Sequence, residues 1–131
     1  MDLIEAAAPY AKATHAKDMA VRPYADGFEL SEVVLGIGLL PLERVFTTLW
    51  KANPNLKMSL EMISRDPLKV PCLTDQYWVT FPDRNGLYLA RMLRLVQAHK
   101  NTELPVFSNL SVETWRQKEV ENIQACLRYK V

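Results

Sequence analysis

Two short segments carry the side chains with the means to do chemistry. Thr14-His15-Ala16-Lys17-Asp18 sets an imidazole, an ammonium and a carboxylate at the end of a predicted strand. Ser59-Leu60-Glu61-Met62-Ile63-Ser64-Arg65-Asp66 sets a further carboxylate at the end of the next one. A neutral imidazole beside a carboxylate suits a borderline divalent ion such as Mn²⁺, Co²⁺ or Zn²⁺, and Mg²⁺ is admissible. Taken singly, each residue has an ordinary reading. A lone histidine near a strand end is more often a hydrogen-bonded structural residue. A glutamate on a strand is more often half-exposed or paired, here with Lys57 or Lys17. The two segments become one site only if the intervening chain folds so that both strand ends meet.

The elements that must do this can be read in outline. Asp2 to Ala8 is rich in helix formers and is stopped by Pro9. The middle of Tyr10 to Val21 reads as a short strand that leads into a polar turn. Arg22 to Leu40 is loop-like, with Pro23, Asp26-Gly27 and Gly36-Ile37-Gly38, and Phe28 to Val34 forms at most a short strand inside it. Leu42 to Ala52 is a helix: Leu42, Val45, Phe46 and Leu49 recur on one face, Pro41 suits its first turn, and Asn53-Pro54-Asn55 ends it. Leu56 to Ile63 alternates as a strand, with Leu56, Met58, Leu60 and Met62 on one face and Lys57, Ser59, Glu61 and Ile63 on the other.

Beyond residue 66 the pattern changes. Pro67, Pro71 and Pro82 punctuate a segment whose Tyr77, Trp78 and Phe81 imply an ordered, packed loop. Leu87 to Ala98 is a helix with Leu89, Met92, Leu93 and Val96 along one face. Ser111 to Leu127 is a second, with Ser111 as N-cap and Val112, Trp115, Glu119, Ile123 and Leu127 in helical repeat. The division is therefore 1–66, strand and helix units, and 67–131, a proline- and aromatic-rich loop with a helical extension. Strand, loop, helix, strand and then helices is the order of a parallel α/β fold. Two clear strands close no barrel, and a (β/α) barrel takes ~200 residues or more, so the expected fold is the last part of a larger barrel.

Composition bounds the function. The 131 residues carry 16 Lys and Arg against 15 Asp and Glu, a formal charge of +1. That gives no electrostatic footprint for nucleic acid, and no basic run points to an anionic membrane. The longest uncharged apolar stretch, residues 33–42, has ten residues with two Gly and one Pro, too short to span a bilayer. The acidic start, Met1-Asp2-Leu3-Ile4-Glu5, is unlike a signal peptide. Cys72 and Cys126 form neither a disulfide framework nor a thiolate zinc motif, which fits a reducing, cytoplasmic setting. Gly36-Ile37-Gly38 lacks the third glycine of a dinucleotide fingerprint and reads as tight-turn geometry. Cys72 reads as a small buried residue, His99 as a partner of its helix C-terminus, and Trp115 as core or interface.

Taken together, His15-Ala16-Lys17-Asp18, Leu35-Gly36-Ile37-Gly38, the helix from Leu42 and Ser59-Leu60-Glu61 resemble the sugar phosphate isomerase/epimerase family of xylose isomerase-like TIM barrels. The resemblance covers the last two barrel strands and about the first half of the chain. Met62 to Leu73 is similar to a bacterial subgroup with a long C-terminal extension. Leu39-Leu40-Pro41 stands where the family often has an acidic residue.

The resemblance implies a partial (β/α) barrel and one divalent ion (Mn, Mg, Co or Zn). His15 would be its third protein ligand and Glu61 its fourth, with the other two on strands upstream of these. It implies that Glu61 is also one of the acid/base pair, that Lys17 and Arg65 supply positive charge for substrate oxygens, and that Asp18 orients His15 or Lys17. The implied activity is isomerisation or epimerisation of a sugar or sugar phosphate through an enediolate, in carbohydrate metabolism. Two alternatives remain: a keto-sugar-acid lyase or decarboxylase on the same fold, and a truncated, non-catalytic domain. On any of these readings the 131 residues would be catalytically incomplete alone, and would assemble with a further copy or with a missing N-terminal half.

Overall fold

The computed structural model describes residues 2–81, 83, 86–100 and 102–130. Pro82, named above among the punctuating prolines, lies outside them. The fold is mixed α/β: the described residues form two small sheets with helices packed around them and no closed barrel.

The first sheet is the one that matters for the site. β1 (Ala13–Ala16) and β4 (Lys57–Leu60) pair in parallel, in register from Ala13 with Lys57 to Ala16 with Leu60. Parallel neighbours need a crossover, and α2 (Leu42–Ala52) supplies it. Leu42, Phe46 and Leu49 are its buried positions, as the spacing predicts. Phe46 and Leu42 pack on Ala16, with Met58 and Tyr129 around them. The alternation of β4 also appears: Met58 and Leu60 lie toward the helix and half-buried, whereas Lys57 and Ser59 are exposed. α2 ends where predicted. The Asn53 N–H closes the last turn on Leu49 O at 2.9 Å, and its side-chain Nδ2 donates to Ala11 O at 3.0 Å. Ahead of β1, α1 (Asp2–Ala7) and a 3₁₀ turn place Ile4, Ala8 and Ala11 against Leu49 and Leu56.

The second sheet revises the sequence reading. Arg22 to Leu40, expected to be loop with one short strand, is largely a β-hairpin. β2 (Asp18–Tyr24) and β3 (Gly27–Val33) pair antiparallel along their whole length. Pro23 had the look of a breaker, but β2 is an edge strand, where a missing N–H is tolerated. The short β5 (Leu68–Val70) pairs with β3 on its other side. The loop from Pro67 onward thus begins as part of this sheet. Its aromatics pack as expected: Tyr77 stacks on Phe81 at 5.2 Å, and Trp78 Nε1 donates to Cys72 O at 2.9 Å. Cys72 is buried with Val21, Phe28 and Val96, the last carried by α3 (Gly86–Ala98).

α4 (Val112–Leu127) begins at the predicted cap, with Ser111 Oγ accepting from Thr114 N at 3.1 Å. Its apolar stripe does not all find cover. Val112 and Leu127 are exposed, and the helix docks through Cys126 and through Trp115, whose indole N–H donates to Ser64 O at 2.8 Å. Asp66 Oδ1 accepts from the Phe107 and Ser108 N–H groups and fixes the chain entering this helix. Among the described residues, no helix is long and apolar enough to cross a membrane.

Candidate functional site

The parallel pairing brings the two sequence segments together. Glu61 N donates to Ala16 O at 2.9 Å, extending the β1–β4 ladder one step beyond its paired residues. The Glu61 side chain then stands beside His15 and Lys17, its partners 46 and 44 residues away in sequence. Its two oxygens are divided between them. Oε2 lies 3.0 Å from His15 Nδ1, and Oε1 accepts from Lys17 Nζ at 2.6 Å. Of the two lysines considered as partners for Glu61, Lys17 is the one that reaches it. The hydrogen bond from Lys17, and then that from His15, hold the Glu61 carboxyl below its ordinary range. The same bond to Glu61 pushes Lys17 above its ordinary value of 10.5, further supported by Glu32. Lys17 is therefore a fixed ammonium at neutral pH, suited to stabilising negative charge and unsuited to attack as a free amine.

Glu32, which the sequence reading did not single out, is a member of this cluster. It lies on β3 with its side chain only 3% exposed. Its Oε1 lies 3.6 Å from Lys17 Nζ and 3.5 Å from Arg65 Nη2, and its Oε2 accepts from Ile63 N at 2.8 Å. Burial of a carboxylate is tolerated when it is paired and hydrogen-bonded, and here one hydrogen bond from Ile63 N is joined by ion pairs to Lys17 and Arg65. The available signal was the run Ser31-Glu32-Val33-Val34-Leu35, where a glutamate interrupts an otherwise apolar strand end. Arg65 is brought to the cluster by Glu32, with its side chain 57% exposed.

Asp18 corrects an expectation. It does not orient His15 or Lys17. The residue is 1% exposed, and its carboxylate accepts four backbone N–H groups: Met19 and Leu40 on Oδ1 at 2.8 and 3.2 Å, Gly36 and Gly38 on Oδ2 at 2.9 Å each. This accounts for Gly-x-Gly. A Cβ on Gly38 would run into the Asp18 carboxylate and the Met19 carbonyl, and Gly36 has φ +88° with the Tyr129 ring where a Cβ would stand. The loop is a backbone nest around one carboxylate, and it delivers the chain to the start of α2.

The 3.0 Å between His15 Nδ1 and Glu61 Oε2 is a hydrogen-bond distance. His15 and Glu61 offer a nitrogen and an oxygen donor of the kinds a divalent ion takes, and among the described residues no group of three or more His, Cys, Asp or Glu is placed to hold a metal ion. A cleft of about 380 Å³ opens beside His15 and Lys17, walled by Ile4, Leu40, Leu42 and Val45. The remaining polar candidates are structural. His99 Nδ1 lies 2.9 Å from Leu95 O at the end of α3, and burial pushes the Cys72 thiol up, away from nucleophilic use.

No protein-family model, no curated protein and no solved structure matches the chain.

Proposed function

We propose that this chain supplies half of the active site of a metal-dependent sugar or sugar phosphate isomerase/epimerase, as the last strand–helix units of a xylose isomerase-like barrel. The observation that carries the reading is the approach of His15 Nδ1 to Glu61 Oε2, 3.0 Å apart at the C-terminal ends of adjacent parallel strands. In barrels of this kind those ends form the catalytic face. His15 and Glu61 would hold a divalent ion (Mn, Mg, Co or Zn), with its other protein ligands contributed from outside these residues by a second copy or by preceding barrel units. When bound, the ion would polarise a carbonyl and its neighbouring hydroxyl, easing proton movement between adjacent carbons.

The chain's own groups have distinct parts in this reading. Glu61, with its carboxyl held ionised by Lys17, accepts a proton from the substrate carbon. Lys17 presents a permanent positive charge to an oxygen that gains negative charge as the proton leaves. Arg65, exposed beside the cluster, meets a hydroxyl or phosphate oxygen farther out. The setting is a reducing cytoplasm, where Cys72 and Cys126 stay free.

Calorimetric titration with Mn²⁺ tests this directly. Binding is expected in the native chain and is expected to be lost in the His15→Ala/Glu61→Ala variant. Heats that the double substitution leaves unchanged, or no heat in either protein at high Mn²⁺, would remove the metal from the reading.

A further inference from the structure

We propose that Glu32 is the positioning residue of this site: its buried carboxylate holds Lys17 in place, so that the ammonium stays on one oxygen of Glu61 and leaves the other to His15. The inference rests on the reading that His15 and Glu61 are the working pair, and it adds a residue from a different sheet to the machinery.

Lysine is a flexible four-carbon stem with up to ~2 kcal/mol of rotamer entropy to lose when it is fixed. A surface pair with one half-exposed carboxylate ordinarily does not fix it. Glu61 is such a carboxylate, with its side chain 35% exposed. Glu32 differs in kind. Its side chain is 3% exposed, and its Oε2 is anchored by the Ile63 N–H at 2.8 Å, so its Oε1 cannot follow a wandering lysine. Lys17 thereby lies between a buried, anchored carboxylate and a more exposed one, and the anchored one determines where the ammonium sits.

The placement of Glu32 in the fold makes this geometrically effective. It is carried by β3, directly across from Met19 on β2. Lys17 is the single residue between β1 and β2, and Ile63 and Arg65 follow β4. Glu32 therefore ties the hairpin sheet to the ends of both site-bearing strands with one side chain. Arg65 approaches the same Oε1, its Nη2 at 3.5 Å, so that two cations face this one oxygen.

Glu32→Gln separates this role from simple packing. The amide has nearly the same shape and its oxygen can still accept from Ile63 N, but the charge that holds Lys17 is gone. The measurement is nitrogen-15 relaxation and proton exchange of the Lys17 side-chain ammonium in the metal-free chain. In the native protein this group is expected to be ordered and slow to exchange. In Glu32→Gln it should become as mobile and fast-exchanging as the exposed Lys118, while the Ile63 amide resonance stays in place.

A Lys17 ammonium that remains ordered in Glu32→Gln would overturn the proposal, because Glu61 alone would then suffice. If the glutamine variant does not fold, Glu32→Asp keeps the charge and withdraws it by one methylene. Partial loss of Lys17 order is expected there, and no loss overturns the proposal. Because no metal is present, a failed Mn²⁺ titration and a failed Glu32 experiment are separate results.

Discussion

Glu61 has one oxygen for a base and the other for a cation, and that division gives it a pH signature. Its folded-state carboxyl titrates below its ordinary value of 4.5, first through the Lys17 hydrogen bond and then through His15. A depressed carboxylate contributes stability above its unfolded value, and that contribution is lost as pH falls through the lower, folded one. Lys17 has the opposite sense. Raised above 10.5, it contributes below that value and loses the contribution as pH rises through its higher folded one. The pair is therefore intact across the neutral range and opens only at acidic or strongly alkaline pH. A carbon-13 titration of the Glu61 carboxyl should find a midpoint below the ordinary glutamate value, and Lys17→Met should return it upward; an unmoved midpoint would mean that the bond is not populated in solution.

At the residue scale, His15, Lys17 and Glu61 were legible because their types announce chemistry and the strand pattern placed them at strand ends. Glu32 was not, because a glutamate in an apolar run gives no hint of which cations it will meet from 15 residues earlier and 33 later. Asp18 was legible as important but not in its role, since nothing in His-x-Lys-Asp says that its partners are backbone amides across a hairpin.

Those amides set the stability of the loop that leads into α2. Residues 34–41 form neither helix nor strand, yet Asp18 gathers three of their N–H groups, and its own neighbour Met19 gives the fourth. In Asp18→Asn, one oxygen becomes an NH₂ that faces N–H donors, leaving up to two of them unpaired and buried. A loss of about 2–4 kcal/mol is expected on that account. It should appear as a lower denaturant midpoint with an unchanged slope; a variant as stable as the parent would show that water replaces the carboxylate. Helix α2, the cap of α4 and strand β4 were readable from spacing and capping chemistry, which are local. The β2–β3 hairpin was obscured by Pro23, whose tolerance depends on β2 being an edge, and edges are a property of the assembled sheet. The exposure of Val112 and Leu127 was hidden for the same reason: helical periodicity marks a face but does not supply its cover.

For the molecule as a whole, the β1–β4 pair is unusual. Parallel strands are ordinarily covered on both faces and flanked by further strands, and two strands alone are marginal. Here α2 covers one face, and Ala13, His15, Lys57 and Ser59 stand exposed on the other. Among the described residues, neither outer edge of the pair carries another strand. Exposed Leu68, Leu73, Val79 and Leu87 add apolar surface elsewhere. Self-association through strand edges is the expected consequence. Sedimentation velocity should show the weight-average size rising with protein concentration, and a monomer at every concentration would refute it.

Tyr129 under Gly36, and the Leu35 N–H on Cys126 Sγ across 91 residues of sequence, also set an order of events during synthesis. A chain emerging from its N-terminus can make α1, the hairpin, α2 and β4 long before α4 exists. The loop around Asp18 gains its last supports only when residues 126–129 leave the ribosome. Contacts that close such long loops come late in folding, so the ground beneath His15 and Lys17 is among the last parts of the molecule to set.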